Sequence, residues 1–158
     1  MPYYIRRKPK KKEKALPLFG KAGVKVKKKT DYVRKLDNVF SLYIRLRDAM
    51  PNGMIRCISC GQIKPFNKFD NGHYFSRRKM ATRWDEDNCH AECTYCNRFK
   101  ADHLIGYREN LIRKIGQQRF DALTWKASQT KQWTDFELRG LIKYYKVLCD
   151  KLKKEKGL

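Results

Sequence analysis

Two Cys-x-x-Cys motifs constrain this 158-residue chain more than any other feature of its sequence. The first motif is Cys57–Cys60 and the second is Cys93–Cys96, with residues 61–92 between them. Each motif turns tightly enough to direct two sulfurs at one ion, so the pair supplies the four ligands of a tetrahedral Zn²⁺ site. Four thiolates close the coordination shell, and we therefore expect this zinc to be structural. Cys89 and His90 lie near enough to serve as substitute ligands.

The segment between the two motifs is poor in aliphatic residues, which is typical of small regions that need a metal or disulfides to close a core. We find no secretory signal peptide at the N-terminus, and the paired cysteine spacing favours a metal over disulfides. We therefore expect a reducing, cytoplasmic location. No apolar run approaches the roughly 20 residues that span a bilayer, and the sequence predicts no membrane partner.

The charge of the chain is the second strong constraint. Its formal net charge is +22, and residues 1–30 carry twelve Lys and Arg residues against one acid. Prolines and glycines interrupt any periodicity there, which predicts a flexible, disordered basic arm. A surface this cationic attracts polyanions, so nucleic acid is the expected partner. Ribosomal and membrane-surface proteins share this signal, so charge alone does not separate an enzyme from a binding protein.

Helical periodicity flanks the cysteine-containing segment on both sides. Thr30 or Asp31 can cap a helix that ends before Pro51, and Gly116 is a plausible residue after the end of a later helix. A short helix is predicted from Gln117 to Lys126. The capping box Thr134–Glu137 predicts the start of a last helix. Apolar positions expected to be buried are Val33, Leu36, Phe40, Tyr43 and Leu46 in the first helix, and Phe136, Leu141, Tyr145, Leu148 and Leu152 in the last. Other residues assigned to packing are Trp84, Trp125, Trp133 and Cys149.

Four residues between and beside the cysteine motifs carry the chemistry of a hydrolytic site. His73 is the candidate general base, since an unperturbed imidazole is largely neutral at physiological pH. Asp70 and the amide of Asn97 offer oxygen ligands for Mg²⁺, which needs few protein ligands. Asn88 can brace the loop that carries His73. Candidate DNA phosphate ligands are Arg77, Arg78, Lys79, Arg83 and Lys100.

The order His73, Asp87-Asn88 and Cys93-x-x-Cys96-Asn97-x-x-Lys100 resembles the HNH (ββα-metal) endonuclease motif in its His-Asn-Asn form. Over residues 54–150 the chain is similar to the bacteriophage NinG (Rap) recombination nucleases. Gly72-His73-Tyr74 and the helix before Gly116 belong to this resemblance. The basic arm lies outside it.

The resemblance implies an α+β fold with a small zinc-stabilised ββα-metal (HNH) core. Its parts are a basic flexible arm over residues 1–30, an N-terminal helix over 31–50, the zinc-knuckle nuclease core over 51–105 and a C-terminal helical region over 106–158. By the same resemblance His73 is the general base, Asn88 the structural asparagine and Asn97 a metal ligand. Many HNH enzymes have an acidic or histidine ligand where this chain has Gly72. Asp70 is the expected substitute, and His90 is the second choice.

The implied activity is a Mg²⁺- or Mn²⁺-dependent, structure-selective endonuclease of phage recombination, acting in the host cytoplasm on branched DNA such as Holliday junctions or D-loops. Symmetric resolution of a junction would require two active centres and therefore a homodimer, although no heptad pattern specifies one. The main alternative is a non-catalytic zinc-ribbon nucleic-acid-binding protein. A degenerate, inactive centre and a ribosome- or RNA-associated protein are the weaker alternatives.

Overall fold

The computed structural model describes residues 31–157, and the predicted basic arm lies outside them. Helices and two small antiparallel sheets make up an α+β fold. The helices are α1 (Tyr32–Asp48), α2 (Thr94–Phe99), α3 (His103–Ile115), α4 (Gln117–Ser128) and α5 (Asp135–Lys156). The strands are β1 (Met54–Arg56), β2 (Ile63–Pro65), β3 (Phe69–His73) and β4 (Cys89–Cys93). None of the helices in this part of the chain combines the length and the apolar character that crossing a membrane requires.

Helices α1 and α5 pack together and form the main hydrophobic core. The Asp31 side chain caps α1 by accepting a hydrogen bond from the Arg34 amide at 2.9 Å, as the sequence predicts. The predicted capping box of α5 is also present. Between the helices, the Tyr145 ring lies 4.8 Å from the ring of Phe40, centroid to centroid. At the far end, the Lys156 ammonium donates to backbone carbonyls at the C-terminal end of α1, which need such partners.

Two predictions of buried aromatic residues are wrong. Phe136 is 79% exposed and Trp125 is 68% exposed. At about 3.6 residues per turn, Phe136 lies half a turn away from the buried Tyr145, and Leu138 occupies the apolar face instead. Trp125 likewise lies opposite the face of α4 that buries Leu123. The other assignments to packing hold: Trp84 and Cys149 are buried, and the half-buried Trp133 packs edge-on against Trp84.

The two sheets hold the two cysteine motifs. In the first sheet, β1 pairs with β2, and the first motif lies in the turn between them. Gly61 has φ +72° in this turn and donates to the Cys57 carbonyl at 2.9 Å, a backbone conformation that favours glycine. In the second sheet, Phe69 of β3 lies opposite Cys93 of β4, and His73 lies opposite Cys89. Strand β4 runs directly into α2, so the second motif joins the hairpin to a helix.

Candidate metal centre and adjoining cleft

The four cysteines of the two motifs come together as the sequence predicts. Their sulfurs lie within 4.8 Å of one another, and the Cys60 and Cys93 sulfurs are 3.9 Å apart. A tetrahedral zinc with sulfur at about 2.3 Å requires sulfur–sulfur distances of about 3.8 Å, so the donor set fits. None of the four forms a disulfide. The cluster can hold one structural metal ion such as zinc.

The two predicted substitute ligands lie outside this cluster. Cys89 is buried at the start of β4, and its Sγ lies 3.5 Å from the Arg83 carbonyl. His90 is 2% exposed, and its Nδ1 has no hydrogen-bond partner among the described residues. Burial, together with the positive charges of Lys114 and Arg47, lowers the pKa of His90 to about 3. His90 is therefore a neutral, buried ring at physiological pH.

A cleft of about 340 Å³ lies between α1, β3 and α2. It brings together three of the predicted catalytic and metal-binding residues, namely Asp70, His73 and Asn97, with the predicted DNA-binding Arg77. His90, the second choice for a catalytic ligand, does not line it, and neither does Asn88. The remaining lining residues are Arg34, Asp37, Asn38 and Ser41 of α1, with Asn71 and Arg98.

The hydrogen bonds of His73 fix which ring nitrogen carries a proton. Its Nε2 lies 3.0 Å from the Arg83 carbonyl oxygen. A carbonyl can only accept, so Nε2 carries the hydrogen and Nδ1 keeps the lone pair in the neutral ring. Burial is the largest influence on the pKa of His73 and lowers it, with the charge of Arg77 acting in the same direction. His73 is consequently neutral at pH 7, as a proton acceptor must be.

Asn88 braces the loop that follows His73. Its side chain is fully buried, and Oδ1 accepts from the Phe75 amide at 2.7 Å. Nδ2 donates to the carbonyls of Phe75 and Thr82 at 3.0 and 2.9 Å. The Tyr107 hydroxyl lies 3.1 Å from the Gly72 carbonyl and 3.2 Å from the Asn88 carbonyl and shares its one hydrogen between these two acceptors. These contacts hold the backbone on either side of His73 in place.

Asp70 and Asn97 meet directly, but Asp70 has a second partner. Asn97 Nδ2 donates to Asp70 Oδ2 at 3.3 Å. The Arg98 guanidinium forms a two-point contact with the same carboxylate at 2.8 and 2.9 Å. Burial acts to raise the pKa of Asp70, but the hydrogen bonds from Arg98 and Asn97 outweigh it and hold the pKa below its ordinary value. Asp70 is thus a charged carboxylate whose oxygens are already hydrogen-bonded.

The predicted DNA-binding residues fall into two groups. Arg83 is 15% exposed at its side chain and binds Asp37 at 2.6 Å, so its guanidinium supports the cleft wall instead of facing solvent. Asp37 also accepts from the Trp84 ring nitrogen at 2.9 Å. By contrast, Arg78 and Lys79 are exposed, and Lys100 is half-buried. Arg77 is also largely exposed and lines the cleft.

A buried polar network explains why glycine precedes His73. Glu92 is fully buried, and its Oε1 accepts from Ser59 Oγ at 2.5 Å and lies 2.6 Å from His103 Nδ1. An added Cβ at Gly72 would lie 2.5 Å from Glu92 Oε2 and 2.7 Å from Glu92 Cβ. The Glu92 side chain therefore occupies the space that a side chain at position 72 would need. Sequence reasoning missed this network and Asp37, because their partners lie far apart along the chain.

The comparisons with known proteins agree on one family. The family model described as "Bacteriophage Lambda NinG protein" matches residues 4–155. "Protein ninG" of Escherichia phage 933W is 32% identical over 127 residues, which cover 79% of this chain and 60% of that protein. The proteins of the same name from Escherichia phage lambda and Salmonella phage P22 are each 29% identical over 117 residues, or 73% of this chain.

The chain spans 54% to 60% of the length of these three relatives. No solved structure matches it. The family match extends over nearly the whole chain and includes both cysteine motifs and every residue of the cleft. The chain belongs to the NinG family of bacteriophage proteins.

Proposed function

We propose that this chain is an HNH-type, metal-dependent DNA endonuclease that acts on branched DNA during phage recombination. The observation that carries the proposal is the cleft in which His73, Asp70 and Asn97 converge. A strand–strand–helix unit supplies these three residues, with His73 at the end of β3 and Asn97 in α2. This is the arrangement that the HNH resemblance implies.

The metal centre supports this arrangement mechanically. Cys93 ends β4 and Cys96 lies in α2, so one ion bound by both would fix the hairpin of His73 relative to the helix of Asn97. A catalytic group held in this way needs little reorganisation when substrate binds. The proposed zinc is structural and takes no part in the chemistry, because four thiolates leave it no open position.

His73 suits the role of general base in phosphodiester hydrolysis. In the proposed reaction, His73 Nδ1 accepts a proton from the water that attacks phosphorus. The carbonyls of Arg83 and Asn71 both favour the protonated ring, so they stabilise the imidazolium that forms. The phosphorus–oxygen bond to the 3′ oxygen then breaks, and the leaving 3′ oxygen takes a proton from solvent water, which gives 5′-phosphate and 3′-hydroxyl ends. His73 returns its proton to solvent.

Asp70 and Asn97 would hold the catalytic Mg²⁺ or Mn²⁺ through their side-chain oxygens. Their charge and oxygen chemistry fit a hard cation that keeps most of its waters. The bound ion would neutralise charge on the phosphate. Asn97 would have to turn its amide so that Oδ1 faces the ion, and Arg98 would have to release Asp70. The Arg98 side chain is 58% exposed and can move to a DNA phosphate.

Phosphate binding beside the reacting group is assigned to the arginines of the cleft. Arg34 and Arg77 are exposed cleft residues, and guanidinium groups bind phosphate oxygens in pairs. The preference for branched DNA and the role in recombination rest on the family resemblance. Membership of the NinG family supports the role in recombination.

One observation favours the alternative of a non-catalytic, zinc-containing nucleic-acid-binding protein. Both oxygens of Asp70 are engaged by Arg98, and Glu92 leaves no room for a ligand at position 72. In this alternative, the cleft binds phosphate without hydrolysing it.

A cleavage assay on matched substrates separates the two functions. A labelled four-way junction and a linear duplex of the same sequences are incubated with Mg²⁺ or Mn²⁺. We expect junction-selective nicking by the native protein, loss of nicking in His73→Ala and Asn97→Ala, and full activity in the exposed control Lys146→Ala. Cleavage of both substrates would support the nuclease activity but exclude the selectivity for branched DNA. Tight, salt-sensitive binding without cleavage would establish the alternative.

A further inference from the structure

A second concave surface lies apart from the cleft. This groove has a volume of about 800 Å³ and is formed by the end of α1, the first cysteine motif and α3. It shares no lining residue with the cleft. The two surfaces are related through α1, which contributes Asp37 to the cleft and Asp48 to the groove. From Asp37 to Asp48 the helix advances about 16 Å at about 1.5 Å per residue.

The groove is lined by four cationic side chains and one carboxylate. The cations are Arg47, Arg56, Arg113 and Lys114, and the carboxylate is Asp48. Asp48 accepts from Arg47 at 3.0 Å, from Lys114 at 3.1 Å and from the Ala91 amide at 2.8 Å. These contacts outweigh its burial and lower its pKa to about 2. Asp48 is therefore charged but fully engaged with Arg47, Lys114 and the backbone.

The two remaining arginines have only neutral partners. Arg56 Nη1 donates to the Gly61 carbonyl at 3.1 Å, and Arg113 Nη1 donates to Asn110 Oδ1 at 2.6 Å. Within residues 31–157, neither arginine forms an ion pair with a carboxylate. Both side chains are exposed. Each retains guanidinium hydrogens that no carboxylate accepts, and the two side chains line the groove from different elements, Arg56 from the end of β1 and Arg113 from α3.

We propose that this groove binds the sugar-phosphate backbone of a nucleic-acid strand at a point remote from the cleft, with Arg56 and Arg113 as the phosphate ligands. Two unneutralised guanidinium groups facing a concave surface match a phosphodiester backbone. Along α1 the two surfaces are offset by about 16 Å, a length comparable to about five base-pair steps of about 3.4 Å. The inference rests on the proposed function in one respect, since it takes the strand to belong to the DNA held in the cleft.

The test is the salt dependence of DNA binding, measured by fluorescence anisotropy without added Mg²⁺ in a His73→Ala background. The readout is independent of cleavage, so failure of the nuclease proposal would leave it intact. Each lost phosphate contact reduces the slope of log K against log salt concentration by about one. We expect Arg56→Gln/Arg113→Gln to reduce this slope by about two on a 20-base-pair duplex.

Two matched variants make the result specific. Arg56→Lys/Arg113→Lys keeps both charges and should retain most of the slope. Lys143→Gln/Lys146→Gln removes two exposed charges from α5 and should leave the slope within about half a unit. An unchanged slope in the arginine-to-glutamine variant, or an equal loss in the α5 variant, would overturn the proposal. Weakened binding of inorganic phosphate with unchanged DNA binding would also overturn it, because the groove would then hold small anions.

Discussion

Replacement of Gly72 by alanine should destabilise the protein because the added Cβ would clash with one side chain, that of Glu92. An added Cβ would lie 2.5 Å from Glu92 Oε2, 2.7 Å from Glu92 Cβ and 3.2 Å from Glu92 Cδ. The second of these atoms is next to the backbone of β4, so rotation of the Glu92 side chain cannot relieve the overlap completely. Overpacking of this kind costs about 1–3 kcal/mol.

The same substitution would also disturb a buried hydrogen-bond network. Glu92 is fully buried and is bonded to Ser59 and His103. A shift of its carboxyl group weakens these buried hydrogen bonds, each contributing about 0.5–1.5 kcal/mol. Because the network would be strained and not removed, we expect Gly72→Ala to lower the free energy of unfolding by about 2–4 kcal/mol in total.

Urea denaturation of the zinc-loaded protein measures this effect, with Gly140→Ala as the matched control. Gly140 lies inside α5, and an added Cβ would meet nothing within 4 Å. There the substitution should stabilise the protein by about 0.5–1 kcal/mol, because alanine favours the helix. If Gly72→Ala matched the native protein or gained stability as Gly140→Ala does, the steric explanation for the glycine before His73 would be refuted.

Three further predictions concern the metal, the base and the loop. Cys93→Ser should reduce bound zinc, measured by elemental analysis, from about one ion per chain to none. Cys149→Ser alters a buried cysteine outside the cluster and should keep the zinc. Zinc retained in Cys93→Ser would contradict the four-ligand site. Because burial lowers the pKa of His73, the cleavage rate in a pH–rate profile should rise with pH below about 6.5 and level off by about pH 7. A midpoint of this profile above about 6.5 would exclude His73 as the base. Asn88→Ala removes three buried hydrogen bonds and should lower the free energy of unfolding, measured by urea denaturation, by about 2–4 kcal/mol. The exposed control Asn38→Ala should change it by less than about 0.5 kcal/mol. Equal effects of the two substitutions would rule out the bracing role of Asn88.

Features encoded by local sequence were predicted correctly. The tight turn of each Cys-x-x-Cys motif depends on a few neighbouring residues, so the four-sulfur cluster follows from spacing alone. The caps at Asp31 and Thr134 are likewise local, since each side chain bonds to an amide three residues along the chain. The resemblance implies the roles of His73 and Asn97, with Asp70 as the expected substitute ligand, and all three residues line the same cleft.

Features that depend on distant partners were not predicted. DNA binding by Arg83 stays a prediction, but its ion pair with Asp37, 46 residues earlier on α1, was not anticipated. The Ser59–Glu92–His103 network joins three separate segments, and no short motif indicates it. The error at Phe136 has a different origin, because the nine-residue separation between Phe136 and Tyr145 makes about two and a half turns of helix and places the two rings on opposite faces. Sequence reasoning therefore missed the partners that tertiary contacts give to charged and polar side chains.

The most direct test of the central claim is chemical rescue of the proposed base. Cleavage of the four-way junction with Mn²⁺ is measured for the native protein and for His73→Ala, each with and without added imidazole. Loss of a general base should reduce the rate by about 10²–10⁴-fold, and imidazole should restore part of it in the variant without accelerating the native protein. Absence of cleavage by the native protein, or equal rates for the native protein and His73→Ala, would contradict the account.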